Sequence, residues 1–422
     1  MTMKHFFIIL LSLLVPVTMT AQVDDLFDND NDDEAVASDS VSADTVSIEQ
    51  NAMPWPQRVK SRIDGIVTDN SMFNTSQLGL MVYDLTADSV LYSYNERQMM
   101  RPASTMKVIT AITAIDRLGG SYQLKTTLSY KGNIENRTLH GDIYCIGGFD
   151  PRFNNDDMKA FVDGIRRMGV DTIRGRIVAD KTMKDKDRLG EGWCWDDDNP
   201  VLSPLLISRK DRFVERFVDD LREAGVVVDA EQTEGAAPMD AFAICTRYHT
   251  IDQILMKMMK ESDNLYAEAL FYHIGASAGA RPTNAKYAKS LVLKLAHKAG
   301  VDTGMCRIAD GSGLSLYNYL SAEFEVKMLR YAYNNSNIYL HLYPSLPIAG
   351  EDGTLRKRMK NSFTAGNVHA KTGTVAGISS LAGYCTASNG HVLCFSILNQ
   401  GVLHASNGRN FQDRICNILC QP

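Results

Sequence analysis

The sequence predicts an α/β protein: an antiparallel sheet flanked by helices, with one smaller α/β domain inserted into it. Three observations carry that expectation. Alternating apolar runs occur early, at 78–85 and 89–94, and three more occur late, at 368–374, 380–386 and 391–399; a period of two marks strands. Between these groups, apolar residues recur at helical spacing. From about 121 to 245 the pattern changes to short strands, turns and helices of its own.

A first helix is expected around 56–67, ahead of a hairpin whose strands are separated by Thr86-Ala87-Asp88. Pro102-Ala103-Ser104-Thr105-Met106-Lys107 then opens a helix in which Met106, Ile109, Ile112 and Leu118 share a face until Gly119-Gly120 stops it. In the inserted stretch, strands are read at 141–148 and 175–180 and helices at 156–169 and 209–225. A long amphipathic helix starts at Ile251, breaks at Ser262-Asp263-Asn264 and resumes at Leu265. A last helix is expected from about Arg409. Two early and three late strands can close into one sheet covered by helices on both faces.

The chain has 422 residues, 45% of them hydrophobic and 22% charged, which leaves ample material for a large core. Its net charge of −6 offers no footprint for a phosphate backbone, so nucleic acid is not an expected partner. Lys4, followed by an apolar run from Phe6 to Val17 and by Met19-Thr20-Ala21, reads as a cleaved export signal over 1–21, with no transmembrane anchor left after cleavage. Residues 22–50 carry many Asp and no Lys or Arg, and read as a disordered acidic linker. The expected location is the periplasm or cell envelope. The eight cysteines show no C-x-x-C pair; Cys416 and Cys420, four apart on the last helix, read as buried apolar residues.

Three short motifs carry chemistry. Ser104-Thr105-Met106-Lys107 is an S-x-x-K tetrad: three residues apart on a helix, the Lys107 amine reaches the Ser104 hydroxyl. Such a tetrad arises about once by chance in a chain this long, and alone it is a capping Ser followed by a solvated Lys. Lys371-Thr372-Gly373 is rarer, expected about a tenth of a time, and alone is an ordinary strand. Ser262-Asp263-Asn264 alone is a polar break between helices. Together, in this order, at a helix start, between helices and on a strand, each lies in the context that its chemistry requires.

With these motifs the sequence resembles the penicillin-recognising serine hydrolases, and within them the D-alanyl-D-alanine carboxypeptidase/endopeptidase family S13. The narrower likeness rests on Gly147-Gly148-Phe149-Asp150-Pro151, Gly192-Trp193-Cys194-Trp195-Asp196-Asp197, Ser262 through Glu268, Asp310-Gly311-Ser312-Gly313-Leu314-Ser315, Leu346 through Arg356, and Lys371 through Tyr384. It implies a β-lactamase/DD-peptidase transpeptidase-like fold, with a catalytic penicillin-binding domain at 51–120 plus 246–422 and the insert at 121–245. The 158 residues between Ser104 and Ser262 exceed the compact β-lactamase plan and fall short of members with two inserted domains. Phe149 stands where the family usually has Gly, and Leu316 and Tyr319 where many members are basic or polar.

The resemblance also implies roles. Ser104 attacks the carbonyl of the penultimate D-alanine while Lys107, its pKa lowered by burial and by Lys371, takes the proton. Ser262 and Lys371 relay it to the leaving amine. Asn264 binds the substrate amide, and Thr372, Thr374 and Lys371 the terminal carboxylate. The backbone N–H groups of Ser104 and Thr374 stabilise the oxyanion, and Gly373 lets the substrate approach the strand edge. Peptidoglycan stem peptides are the expected partners and β-lactams covalent inhibitors; no metal or organic cofactor is called for. Two alternatives remain open here, a β-lactamase and a penicillin-binding sensor or scaffold that acylates without turnover. His249 and His369 read as bystanders, and Trp193 and Trp195 as core of the insert, which is expected to govern access and not chemistry.

Overall fold

The computed structural model describes residues 53–194 and 199–421; the expected export signal, the acidic linker and Trp195 lie outside them. Helix α1 (Trp55–Thr68) precedes the hairpin β1 (Gln77–Asp84) and β2 (Ser89–Tyr94), and β8 (His369–Val375), β9 (Ile378–Thr386) and β10 (Val392–Gln400) come near the end. These five form one antiparallel sheet in the order β2-β1-β10-β9-β8, so the first strand of the fold is stitched to the last.

The strand period of two assigns the sheet's faces. Leu80 and Val82 of β1, Phe395 and Ile397 of β10 and Leu381 of β9 point one way, into a core closed by α1 and by α10 (Ala405–Cys420), where Cys416 and Cys420 are buried. Met81, Cys394, Leu398 and Tyr384 point the other way. There they meet α2 (Met106–Leu118), α5 (Ile251–Lys260), α6 (Asn264–Ala276), α7 (Ala285–Lys298), α8 (Ala322–Tyr333) and α9 (Ser336–Ser345). Helix α6 is buried almost all round, as befits a helix in the middle of a helical layer.

Between α2 and α5 lies a second sheet, order β6-β5-β4-β3-β7, built from β3 (Gln123–Glu135), β4 (Thr138–Ile146), β5 (Thr172–Asp180), β6 (Val227–Glu234) and β7 (Phe242–Thr250). Strands β4, β5 and β6 are parallel, joined by crossover helices α3 (Asn155–Arg167) and α4 (Phe213–Glu223). Phe153, Phe161, Phe213 and Phe217 pack there with Ile143, Ile173 and Ile177 as a core of its own. Its last strand runs on to Thr250, past residue 245. Trp193 does not join that core, contrary to the reading from sequence: it is buried with Tyr272, Ile274 and Leu202 in the helical layer behind the first sheet. Phe149 has φ +50°, a backbone that favours glycine, and its ring packs against Tyr272 at 5.8 Å.

Candidate active site

Ser104 sits in a single 3-10 turn, Ala103–Thr105, that leads into α2. The turn is tight: Ala103 has φ +50°, a left-handed conformation that costs a residue with a Cβ of the order of 1 kcal/mol or more. It is held from behind, since Ser380 Oγ donates to Pro102 O at 2.6 Å and Thr105 Oγ1 donates to the same carbonyl at 2.8 Å.

Lys107 is fully buried, and close to its Nζ lie Ser104 Oγ at 2.9 Å, Asn264 Oδ1 at 2.7 Å and Ser312 O at 2.9 Å. Two of these, an amide oxygen and a carbonyl, can only accept. They take two N–H groups of the amine and leave its third tetrahedral position facing Ser104 Oγ. In the neutral amine that position is the lone pair. The helical spacing foreseen for Ser104 and Lys107 is thus present, and Asn264 is drawn into the pair across 157 positions of sequence.

Asn264 and Ser262 flank the break between α5 and α6. Ser262 has φ +60°, and Asp263 caps α6 by accepting from Leu265 N at 3.0 Å and Tyr266 N at 3.4 Å. Lys371, fully buried on β8, donates to Ser262 Oγ at 2.9 Å and to Thr372 O at 2.7 Å. Thr372 Oγ1 donates to Thr354 Oγ1 at 2.8 Å. Thr374 lies two residues further along the strand, paired with Ser379. Gly373 is also constrained by its neighbours. A Cβ there would collide with Ser380 Oγ and lie 2.8 Å from Pro102 O and 3.0 Å from Ser104 N, so the missing side chain lets β8 close on the Ser104 turn.

The loop 310–318 was not singled out for chemistry in the sequence reading, because its contribution to the site is a backbone carbonyl. Ser312 O reaches Lys107 from a loop fastened to two fully buried carboxyl groups. Glu268 Oε1 accepts from Gly311 N at 3.0 Å and Ser312 N at 2.8 Å. Asp310 accepts from Gly313 N at 2.8 Å, Ser315 N at 2.7 Å, Asn318 Nδ2 at 2.7 Å and Ser312 Oγ at 3.2 Å. Gly313 has φ +82°, and a Cβ on it would collide with Ala103 O, so the loop is pressed on the Ser104 turn. Burial, with Asp310 nearby, pushes the Glu268 carboxyl up to about 8. Glu325, buried on α8, accepts from Ser396 Oγ at 2.6 Å, and burial pushes it up to about 7.

The two histidines stand apart from this constellation. His249 pairs with Asp150 at 2.7 Å. His369, two residues before Lys371 on β8, stacks on Tyr343 at 4.1 Å, and burial lowers its pKa. Among the described residues no group of three or more His, Cys, Asp or Glu is placed to hold a metal.

A family model, the D-Ala-D-Ala carboxypeptidase 3 (S13) family, matches residues 59–208 and 206–421. A D-alanyl-D-alanine carboxypeptidase of Actinomadura sp. (strain R39) is 28% identical over 442 residues, 81% of either chain. The crystal structure of penicillin binding protein 4 from Haemophilus influenzae superposes with a TM-score of 0.79 at 22% identity, covering 85% of this chain and 99% of that one. A second structure of that protein, complexed with a β-lactam, superposes at 0.73, again at 22% identity and over 85% and 99% of the two chains.

Proposed function

The chain belongs to the D-Ala-D-Ala carboxypeptidase 3 (S13) family, and we propose that it is an exported serine DD-peptidase that cuts D-alanyl peptide bonds of peptidoglycan stem peptides through an acyl-enzyme at Ser104. The observation that carries the reading is the Lys107 amine, held by two acceptor-only partners so that its remaining position meets Ser104 Oγ at 2.9 Å.

In this mechanism Ser104 Oγ attacks the carbonyl carbon of the penultimate D-alanine and its proton passes to Lys107 Nζ. The oxyanion collects on the backbone N–H groups of Ser104 and Thr374. The C–N bond breaks as the leaving amine takes a proton, delivered through Ser262, which Lys371 orders. Water then hydrolyses the Ser104 ester. Thr372 and Thr374, with Lys371, receive the terminal carboxylate, which displaces the Thr372–Thr354 hydrogen bond. Asn264, which spends Oδ1 on Lys107, keeps its NH₂ group for a substrate carbonyl.

A β-lactam enters the same steps, except that its leaving amine stays tethered after ring opening and shields the ester from water. That the Haemophilus influenzae protein forms a complex with a β-lactam supports β-lactam binding here. Lys4 and the apolar run after it support export to the cell envelope, and no described helix is long and apolar enough to cross a membrane. We take residues 121–245 as an inserted unit, because its sheet has a core of its own.

The test is to incubate the purified protein with labelled penicillin and with a peptide ending in D-Ala-D-Ala. The reading expects a stoichiometric, slowly hydrolysed penicillin adduct and release of D-alanine from the peptide. Rapid turnover of penicillin with no attack on the peptide would make the protein a β-lactamase; an adduct with no release of D-alanine would make it a sensor.

A further inference from the structure

We propose that the segment between β5 and α4 takes part in the chemistry, through two positioning residues, Trp193 and Arg209, which fix the two acceptors of the Lys107 amine. This rests on the reading of Ser104 and Lys107 given above.

The Lys107 lone pair faces Ser104 only while Ser312 O and Asn264 Oδ1 both hold their places. Asn264 directly follows Asp263 and Ser312 lies two residues after Asp310, and each aspartate receives a donor from the segment between β5 and α4. Trp193 is buried, and its Nε1–H donates to Asp310 Oδ2 at 2.8 Å. Asp310 in turn anchors Gly313 N and Ser315 N, on the C-terminal side of Ser312. The segment around Trp193 is itself seated on the loop: Gly192, with φ +77°, comes so close that a Cβ would lie 2.8 Å from Ser315 Oγ, and Glu191 pairs with Arg307 at 2.8 Å.

The second arm reaches the other acceptor. Arg209 donates through a guanidinium N–H to Asp263 Oδ2, while Oδ1 of the same carboxylate caps the helix that begins with Asn264. Ser208 and Arg209 both have positive φ, 46° and 68°, so the chain takes up strain at the point where it makes this contact. A segment that merely framed an entrance would have no need of a hydrogen bond from a buried indole to Asp310. An exposed ion pair adds little stability, but one that orients the cap of a catalytic helix can still set geometry, and a misplacement of the order of 1 Å in a reacting group costs about a hundredfold in rate.

The experiment separates binding from acylation in Trp193→Phe and Arg209→Gln, using stopped-flow labelling by a small penicillin and turnover of a D-Ala-D-Ala peptide, with circular dichroism to confirm folding. Trp193→Phe keeps an aromatic side chain but removes the N–H together with part of the indole's volume. Positioning predicts that the acylation rate constant falls about tenfold or more in Trp193→Phe, equally for penicillin and peptide, with the initial dissociation constant unchanged. Arg209→Gln, on an exposed side chain and therefore expected to fold, should lose about threefold or more in the same constant. A role in access alone predicts weaker binding of the larger peptide and wild-type acylation by penicillin, and that result would overturn the inference. If Trp193→Phe does not fold, Arg209→Gln decides. Wild-type protein that fails to label at Ser104 would remove the underlying reading instead, so the two failures are distinct.

Discussion

Replacing Glu268 by Gln should make the protein less sensitive to alkali. Glu268 is fully buried on α6, and its carboxyl titrates at about 8 in the folded chain against 4.5 in the unfolded one. The folded pKa is the higher of the two, so the stability associated with this group is fully present below pH 4.5 and is lost as the pH rises through 8. At about 1.4 kcal/mol per pH unit, that span corresponds to a loss of about 5 kcal/mol. Gln presents the same Oε1 to Gly311 N and Ser312 N and cannot ionise. Between pH 4.5 and pH 9 it should therefore gain about 5 kcal/mol on wild type, read as a difference of about 1 to 1.5 M in urea midpoint for an m-value of a few kcal/mol per M. Glu325 slopes the same way but is present in both proteins and cancels. Urea unfolding followed by tryptophan fluorescence at pH 5, 7 and 9 makes the measurement. If the difference in midpoint is the same at all three pH values, Glu268 is not a buried neutral acid and the account of the 310–318 loop fails. At pH 6.5 the variant should acylate at close to the wild-type rate, since Gln copies the protonated group, whereas Glu268→Ala, which frees Gly311 and Ser312, should be slower by about tenfold or more.

His273 is buried, and desolvation lowers its pKa to about 4; a depressed histidine contributes stability that is present above 6.5 and lost as the pH falls through 4, so His273→Gln should flatten the acid side of the urea-midpoint profile. Gly373→Ala pushes a Cβ against Pro102 O and Ser380, and should slow penicillin acylation by about a hundredfold while circular dichroism reports a folded protein; wild-type acylation would mean that β8 and the Ser104 turn are not in register. Lys107→Arg should be inactive at every pH between 5 and 10, because a guanidinium never becomes a neutral base; any recovery of acylation at high pH would remove Lys107 from the role of base.

Most of the first sheet was legible because both of its signals are local: alternation in 78–85 and 380–386 finds strands, and Gly119-Gly120 ends a helix. Strand β3 was not read: from Lys131 onward its residues face solvent, and in its first half the alternation of Leu124, Thr126 and Leu128 is broken by the buried Ser129. The S-x-x-K, S-x-N and K-T-G residues were legible because their chemistry demands particular side chains. Ser312 was not, because what it gives Lys107 is a carbonyl that every residue possesses, and only the fold brings it within 2.9 Å. Trp193 was assigned to the wrong core for a related reason: a tryptophan in a run of turns shows that it wants burial and a partner for its N–H, but not which side of the molecule supplies Asp310. The tight fit of Gly373 against the Ser104 turn was not legible, because that turn lies far away in sequence.

The central claim is that Ser104 forms the acyl bond with Lys107 as its base, and the most direct measurement is mass spectrometry of the intact protein after penicillin treatment, with peptide mapping of the adduct. The account predicts one adduct per chain, on the peptide containing Ser104, and none in Ser104→Ala at the same concentration and time although that variant remains folded. An adduct that maps to another residue, or that forms in Ser104→Ala at the wild-type rate, would contradict it.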